Sequence, residues 1–191
     1  IDISFDLYYK SLANVSEVNM TAREGQNVAD VFEIGKANSY GFEVFLQKKI
    51  GRFTGWFGYA FGKINSTFAN INEGKEFHPK YDRTHDMKLV LQYSPNETWD
   101  FSANFTFQSG QSYTGATSRF QTMLPGENYG MGHVFPTQRY GQRLPASHQL
   151  NLSAGYNFKT FGLKSRLNLD VYNIYNHKDI LLRYYDTQDV D

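Results

Sequence analysis

The residues in this chain best suited to chemistry are five histidines: His78, His85, His133, His148 and His177. A zinc or hydrolytic centre needs ligands at local spacings such as His-Glu-x-x-His, and none of the five has such a neighbour. Nucleophilic catalysis by serine would need a Gly-x-Ser-x-Gly elbow beside a base, and the sequence contains none. The absence of cysteine excludes thiol catalysis, disulfide scaffolds and zinc–thiolate sites. The histidines therefore read as polar residues of loops and strand ends. No catalytic residue, no metal site and no cofactor is expected.

Better equipped for recognition is the stretch from Ser109 to Ser147, which sets Tyr113, Arg119, Phe120, Tyr129, His133, Phe135, Arg139, Tyr140 and Arg143 among glycine and serine. Aromatic platforms beside arginines suit planar or anionic ligands such as metal chelates, and also sugars. The competing reading is a surface loop whose aromatics pack on one another, and composition does not choose between the two. A second group of charges, Asp2, Asp6, Lys10, Glu43, Asp86, Lys88, Arg166 and Asp170, has meaning only through the elements that carry it.

Those elements are strands. Thr98 to Gln108 alternates Trp99, Phe101, Ala103, Phe105 and Phe107 against Asp100, Ser102, Asn104, Thr106 and Gln108, a period of two that no helix can satisfy. Ile1 to Lys10, Asp86 to Tyr93, His148 to Phe158 and Leu163 to Asn173 repeat the pattern. Ser39 to Lys49 follows it with Phe45 on the polar side. In Phe53 to Ile64 the expected faces are Phe53, Phe57, Tyr59 and Phe61 against Trp56, Gly58, Ala60 and Gly62, although Trp56 suits either. An eighth strand is expected around Ile180 to Tyr185. The charges above then fall on the polar faces, where neighbours of opposite sign can pair across the ladder.

Connections alternate in length. Lys49–Arg52, Ser94–Glu97 and Lys159–Gly162 are tight turns, whereas Ser11–Ala37, Asn65–Arg83 and Ser109–Ser147 are long. All the short turns fall at one end of the sheet and all the long segments at the other. The runs also reach the roughly 9–11 residues that a tilted strand needs to cross a bilayer, and aromatic residues flank the tight turns as interfacial girdles do. Together these features predict an all-β, antiparallel transmembrane barrel. Residues 1–191 would form part of one barrel domain, an incomplete segment of about seven to eight strands. The alternatives are a passive outer-membrane porin and a soluble, secreted β-sandwich that binds carbohydrate. With 19 basic and 19 acidic residues the chain lacks the positive surplus of a nucleic-acid binder, and no nucleic-acid partner is expected. Its mean hydropathy of −0.55 excludes a bundle of membrane helices.

Four short segments follow one another along the chain: Gly41-Phe42-Glu43-Val44, Tyr81-Asp82-Arg83-Thr84-His85-Asp86, Arg143-Leu144-Pro145-Ala146-Ser147-His148 and Tyr172-Asn173-Ile174-Tyr175-Asn176-His177-Lys178. In order and spacing they resemble the C-terminal part of a TonB-dependent outer-membrane receptor barrel. The resemblance implies a barrel of about 22 strands with a plugged lumen, of which this segment supplies about a third. It further implies a Gram-negative-type outer membrane, with lipid, an N-terminal plug domain, a TonB-type energy-coupling protein and a small-molecule ligand as partners. Ligand-gated uptake of a scarce solute (a ferric siderophore, cobalamin or an oligosaccharide) is the implied activity. The plug, the coupling segment and the final strand are expected to lie outside this sequence.

Overall fold

The computed structural model describes residues 1–18, 31–122 and 131–183, and within its strands the side chains of 119–122, 131–134 and 136 are left out of the description. Alternating strand formers dictate an antiparallel meander, and the described residues form one. Its seven long strands are β1 (Asp2–Val18), β2 (Phe32–Lys48), β3 (Phe53–Thr67), β4 (His85–Tyr93), β5 (Trp99–Gln108), β10 (Ser147–Thr160) and β11 (Leu163–Val171), paired in that order. Between β5 and β10, β6 (Ser112–Tyr113) pairs with β9 (Gln142–Arg143), and β7 (Ala116–Thr122) pairs with β8 (Met131–Pro136). The sheet is open, consistent with a segment of a larger barrel.

Three expectations change. The connection expected at Ser11–Ala37 is largely strand, because β1 runs 17 residues to Val18 and β2 begins at Phe32. A bulge at Asn14 (φ 59°) explains why the sequence concealed this. It shifts the register between Ala13 and Val15, so odd residues share a face before it and even residues after it, and the alternation breaks in mid-strand. Second, Ser109–Ser147 is no continuous loop but carries β6 to β9. Third, Ile180 to Arg183 form no strand, and Tyr184 and Tyr185 lie outside the described residues. Asn173 (φ 50°) and Asn176 (φ 52°) turn the chain after β11, and Asn173 holds that turn by accepting from the His177 amide at 2.9 Å.

Register assigns every side chain to a face, since residues directly opposite share one. Leu7 faces Phe42, Phe42 faces Phe61, and Phe61 faces His85. Lower on the same face come Phe57, Leu89, Phe105 and Leu150. Beside the tight turns this apolar face carries Phe53 against Tyr93 (ring centroids 6.0 Å apart) and Trp99 against Tyr156 (4.7 Å). At its opposite border lie Phe107, His148 and Tyr59, whose hydroxyl meets His85 Nδ1 at 2.8 Å. From Trp99 to Phe107 the band extends about 26 Å along the strand, or about 20 Å of height at a tilt near 40°, comparable with a membrane barrel's apolar belt.

Nothing among the described residues covers that band. Leu7 is 77% exposed and Leu167 65%. Buried apolar side chains are few, and Phe68, Ile71 and Phe77 lie in the β3–β4 connection. A soluble sandwich would need a second sheet packed across these residues. The described residues supply no such sheet across the band.

Candidate functional site

Two regions carry the polar and aromatic groups that could act on a ligand: the long connections at one end, and the polar face of the sheet.

The connections are stitched together. Past Thr67 the chain folds back, because Ser66 and Phe77 exchange backbone hydrogen bonds of 2.8 and 3.0 Å. This brings Phe68, Ile71 and Phe77 into one cluster, against which Val15 of β1 and Tyr140 pack. Beside the cluster, Arg139 gathers three segments. Its guanidinium donates to Glu17 Oε1 at 2.7 Å and to the Val18 carbonyl at 2.5 Å. Its backbone and the Asn72 amide satisfy each other at 2.7 and 3.0 Å. Asn72 (φ 52°), Glu73 (φ 59°) and Tyr140 (φ 56°) all occupy the left-handed region here, so the node also concentrates backbone strain. Nearby, burial first and the Glu17 carboxylate second push the Tyr81 phenol above its ordinary pKa.

A second arginine fixes the base of the same stretch. Arg143 of β9 ion-pairs with Asp82, which is 2% exposed, and also donates to the carbonyls of Asp82 (3.1 Å) and Gly110 (3.2 Å). The other Asp82 oxygen accepts the Ile64 amide at 2.9 Å. A Cβ on Gly110 would collide with the Leu144 carbonyl, so the backbone approach here requires glycine.

Four of the recognition candidates are thus described with their partners. Tyr113 donates to Gln142 at 2.7 Å; Tyr140 packs on Phe77 and donates to Glu17 at 3.4 Å; Arg139 and Arg143 hold acids. Arg119, Phe120 and His133 sit on the β7–β8 hairpin, where Phe120 pairs with His133 and Arg119 with Val134. Their side chains, and all of Tyr129, lie outside the described residues.

The polar face holds the second set. One cross-strand row runs Asp6, Glu43, Ala60, Asp86, Gln108, Ser147. Asp86 is served by Lys88 (3.6 Å) and by the Gln108 amide (2.6 Å), whose oxygen accepts from Arg83. Below the row, Phe45 and Trp56 make a ring contact of 5.9 Å and border, with Gly58 and Ala60, a cavity of about 210 Å³. Above it, the Tyr8 hydroxyl lies over Gly41 and Gly62. Farther along the sheet, Arg166 pairs with Asp100 at 2.6 Å and donates to Asn168 at 2.7 Å, while Asp170 lies opposite Ser153.

A family model for the TonB-dependent receptor-like β-barrel matches residues 1–174. The chain belongs to this family. No curated protein and no solved structure matches it. TonB-dependent receptors are outer-membrane transport proteins of Gram-negative bacteria and not enzymes. Among the described residues no cluster of His, Asp and Glu could hold a metal ion.

The geometry also explains the segments that carry the family resemblance. Asp82 and Arg143, from two separate stations of this TonB-dependent receptor barrel, form one ion pair whose carboxylate is buried. A third station folds back on the Arg143 segment's His148, whose Nδ1 meets the Tyr175 hydroxyl at 2.9 Å and whose ring stacks on His177 at 3.8 Å. Sequence reasoning missed Glu17, Asn72 and Asp82 as anchors. Asp82 stood inside a quoted motif, but its partner lies 61 residues away, a distance that no local spacing reveals.

Proposed function

We propose that this chain is wall and outer-loop segment of a ligand-gated, TonB-coupled transporter in a Gram-negative-type outer membrane. The complete barrel has about 22 strands, and an N-terminal plug domain fills its lumen. The apolar face meets lipid, and the polar face with Asp6, Glu43, Asp86, Lys88, Arg166 and Asp170 lines the lumen. The solute is scarce and bulky: a ferric siderophore, cobalamin or an oligosaccharide. Binding at the outer loops and plug precedes energy-driven plug rearrangement, for which a TonB-type protein contacts the N-terminal part.

One observation carries this reading beyond family membership. The far end of β1, the β3–β4 connection and the β5–β10 connection are joined to one another by Arg139 and Arg143, so the β7–β8 hairpin with Arg119, Phe120 and His133 stands on a braced platform. A passive pore gains nothing from such bracing, whereas a receptor gains a pre-organised binding loop.

The test uses the full-length protein. Cells lacking its gene should lose energy-dependent uptake of one labelled solute among ferric chelates, cobalamin and oligosaccharides, and should regain it on complementation. Replacing residues 117–135 by a short glycine linker keeps the Arg139 and Arg143 anchors and should weaken binding of that solute. Unchanged affinity would remove the loop from the binding site, and uptake that persists without membrane energisation would favour a porin.

A further inference from the structure

The outward face of the sheet carries side-chain charge of one sign. Every Asp and Glu of the seven long strands points inward, from Asp2 and Glu17 in β1 to Asp170 in β11. Lysines occupy both faces. Lys48 lies outward at the tight-turn border of the apolar band, and Lys63 and Lys36 lie outward past the other border. On the inward face cations meet acids, as Lys88 meets Asp86 at 3.6 Å and Arg166 meets Asp100 at 2.6 Å. Lys36 and Lys63 make no ion pair among the described residues, although β2 and β3 each have a paired strand on both sides.

Past the apolar band the outward residues of β1 to β3 form successive rows. The first sets Tyr9, Tyr40 and Lys63 side by side, two residues beyond Phe61. The next places Asn38 opposite Asn65, and the one after brings Lys36 opposite Thr67. Two residues cover about 7 Å of strand, so Lys63 falls within the headgroup layer, about 5–8 Å deep, that borders the hydrocarbon. Lys36 stands about 14 Å farther along the strand direction, with the two asparagine amides between.

We infer that this outward patch of β1 to β3 binds the phosphate-bearing headgroup of an anionic glycolipid in the outer leaflet. The inference rests on the reading above that the apolar face meets lipid. The patch continues that face without a break, so a lipid whose tails lie against Phe42 and Phe61 presents its headgroup here. Two unneutralised lysines at different heights match two phosphates on one sugar headgroup. Between them Asn38 and Asn65 offer donors and acceptors for its hydroxyls. Tyr9 and Tyr40 set amphipathic rings at the boundary of tail and headgroup. With no acid on this face of the strands, nothing there repels the phosphates.

The test uses the full-length protein, extracted in detergent and freed of lipid, with bound lipid counted by mass spectrometry of the intact complex. The probe is a bisphosphorylated, acylated glucosamine disaccharide; its dephosphorylated form and phosphatidylcholine are the comparisons. The phosphorylated probe should bind, and Lys36→Gln/Lys63→Gln should weaken it about 25-fold, about fivefold for each lysine. Lys36→Arg/Lys63→Arg keeps both charges and should hold the affinity within about threefold. Lys10→Gln, one residue past Tyr9 on the inward face, should leave it unchanged. Heat-modifiable gel mobility confirms that each barrel has folded. Equal affinity in the glutamine variant, equal binding of the dephosphorylated form, or full displacement by inorganic phosphate would overturn the inference while leaving the transporter intact. A folded barrel that takes up none of the three lipids would remove the lipid-facing assignment itself.

Discussion

Replacing Arg143 by methionine should loosen the base of the outer connections by an amount that the structure allows to be worked out. Asp82 is 2% exposed, and its remaining contacts would be the Ile64 amide and the His78 ring 3.9 Å away. Breaking a buried ion pair costs about 3–5 kcal/mol. The Arg143 side chain is 34% exposed, so water screens part of the loss and the low end, about 3 kcal/mol, applies. At 1.4 kcal/mol per factor of ten, local opening becomes about 100-fold more frequent. The assay is amide hydrogen exchange of the full-length protein in detergent, read at the Ile64 amide and at the Leu144 amide, which bonds to the Gln111 carbonyl at 3.0 Å. Asp82→Asn keeps an oxygen for Ile64 and should accelerate exchange only about tenfold. The double variant Asp82→Asn/Arg143→Met should exchange more slowly than Arg143→Met alone, because no charge is left buried. Exchange within about threefold of wild type in the single Arg143→Met variant would refute the energetic reasoning.

Arg139→Ala should raise exchange jointly in the segments around Val18 and Asn72, by about 10-fold or more; acceleration in only one of them would contradict the three-way node. Asp6→Asn removes a like-charge opposition to Glu43 and should stabilise the full-length barrel by about 0.2–1 kcal/mol in denaturant titrations, where a loss of stability would speak against it. Leu89→Arg places a charge in the middle of the apolar band and should cost about 2–4 kcal/mol of folding free energy into bilayers. Thr106→Arg, next in the chain to Leu89's partner Phe105 and on the other face, should cost less than about 1 kcal/mol. Equal penalties would mean the two faces are misassigned.

How much could be read from the sequence differs from strand to strand for physical reasons. In β5 each outward position is apolar and each inward one polar, and β10 and β11 depart from this only at His148, Gly155, Thr160 and Ser165, so pattern alone fixed strand and face. Trp56 could not be placed that way because aromatic residues occupy both faces of β3. Only pairing with Gln47 and Val90 puts it inward, beside Phe45. β1 escaped beyond Lys10 because one bulged residue at Asn14 reversed the alternation. The platform of the outer connections was illegible for another reason: Glu17 with Arg139 and Asp82 with Arg143 are contacts between segments 122 and 61 residues apart. Composition identified the arginines as notable without indicating what they touch.

The order of strands has a bearing on how the sheet is assembled. From β1 to β5 every strand pairs with its neighbour in the chain, so each new strand is added to the edge left by its predecessor, over connections no longer than that between Thr67 and His85. The step from β5 to β10 breaks that economy, since it must close over the whole of β6 to β9. Arg139 and Arg143 sit near the far end of that excursion, and their partners Glu17 and Asp82 belong to parts already in place. Where strands add in chain order, losing these ion pairs lengthens the loop that β10 must close over and should slow barrel maturation.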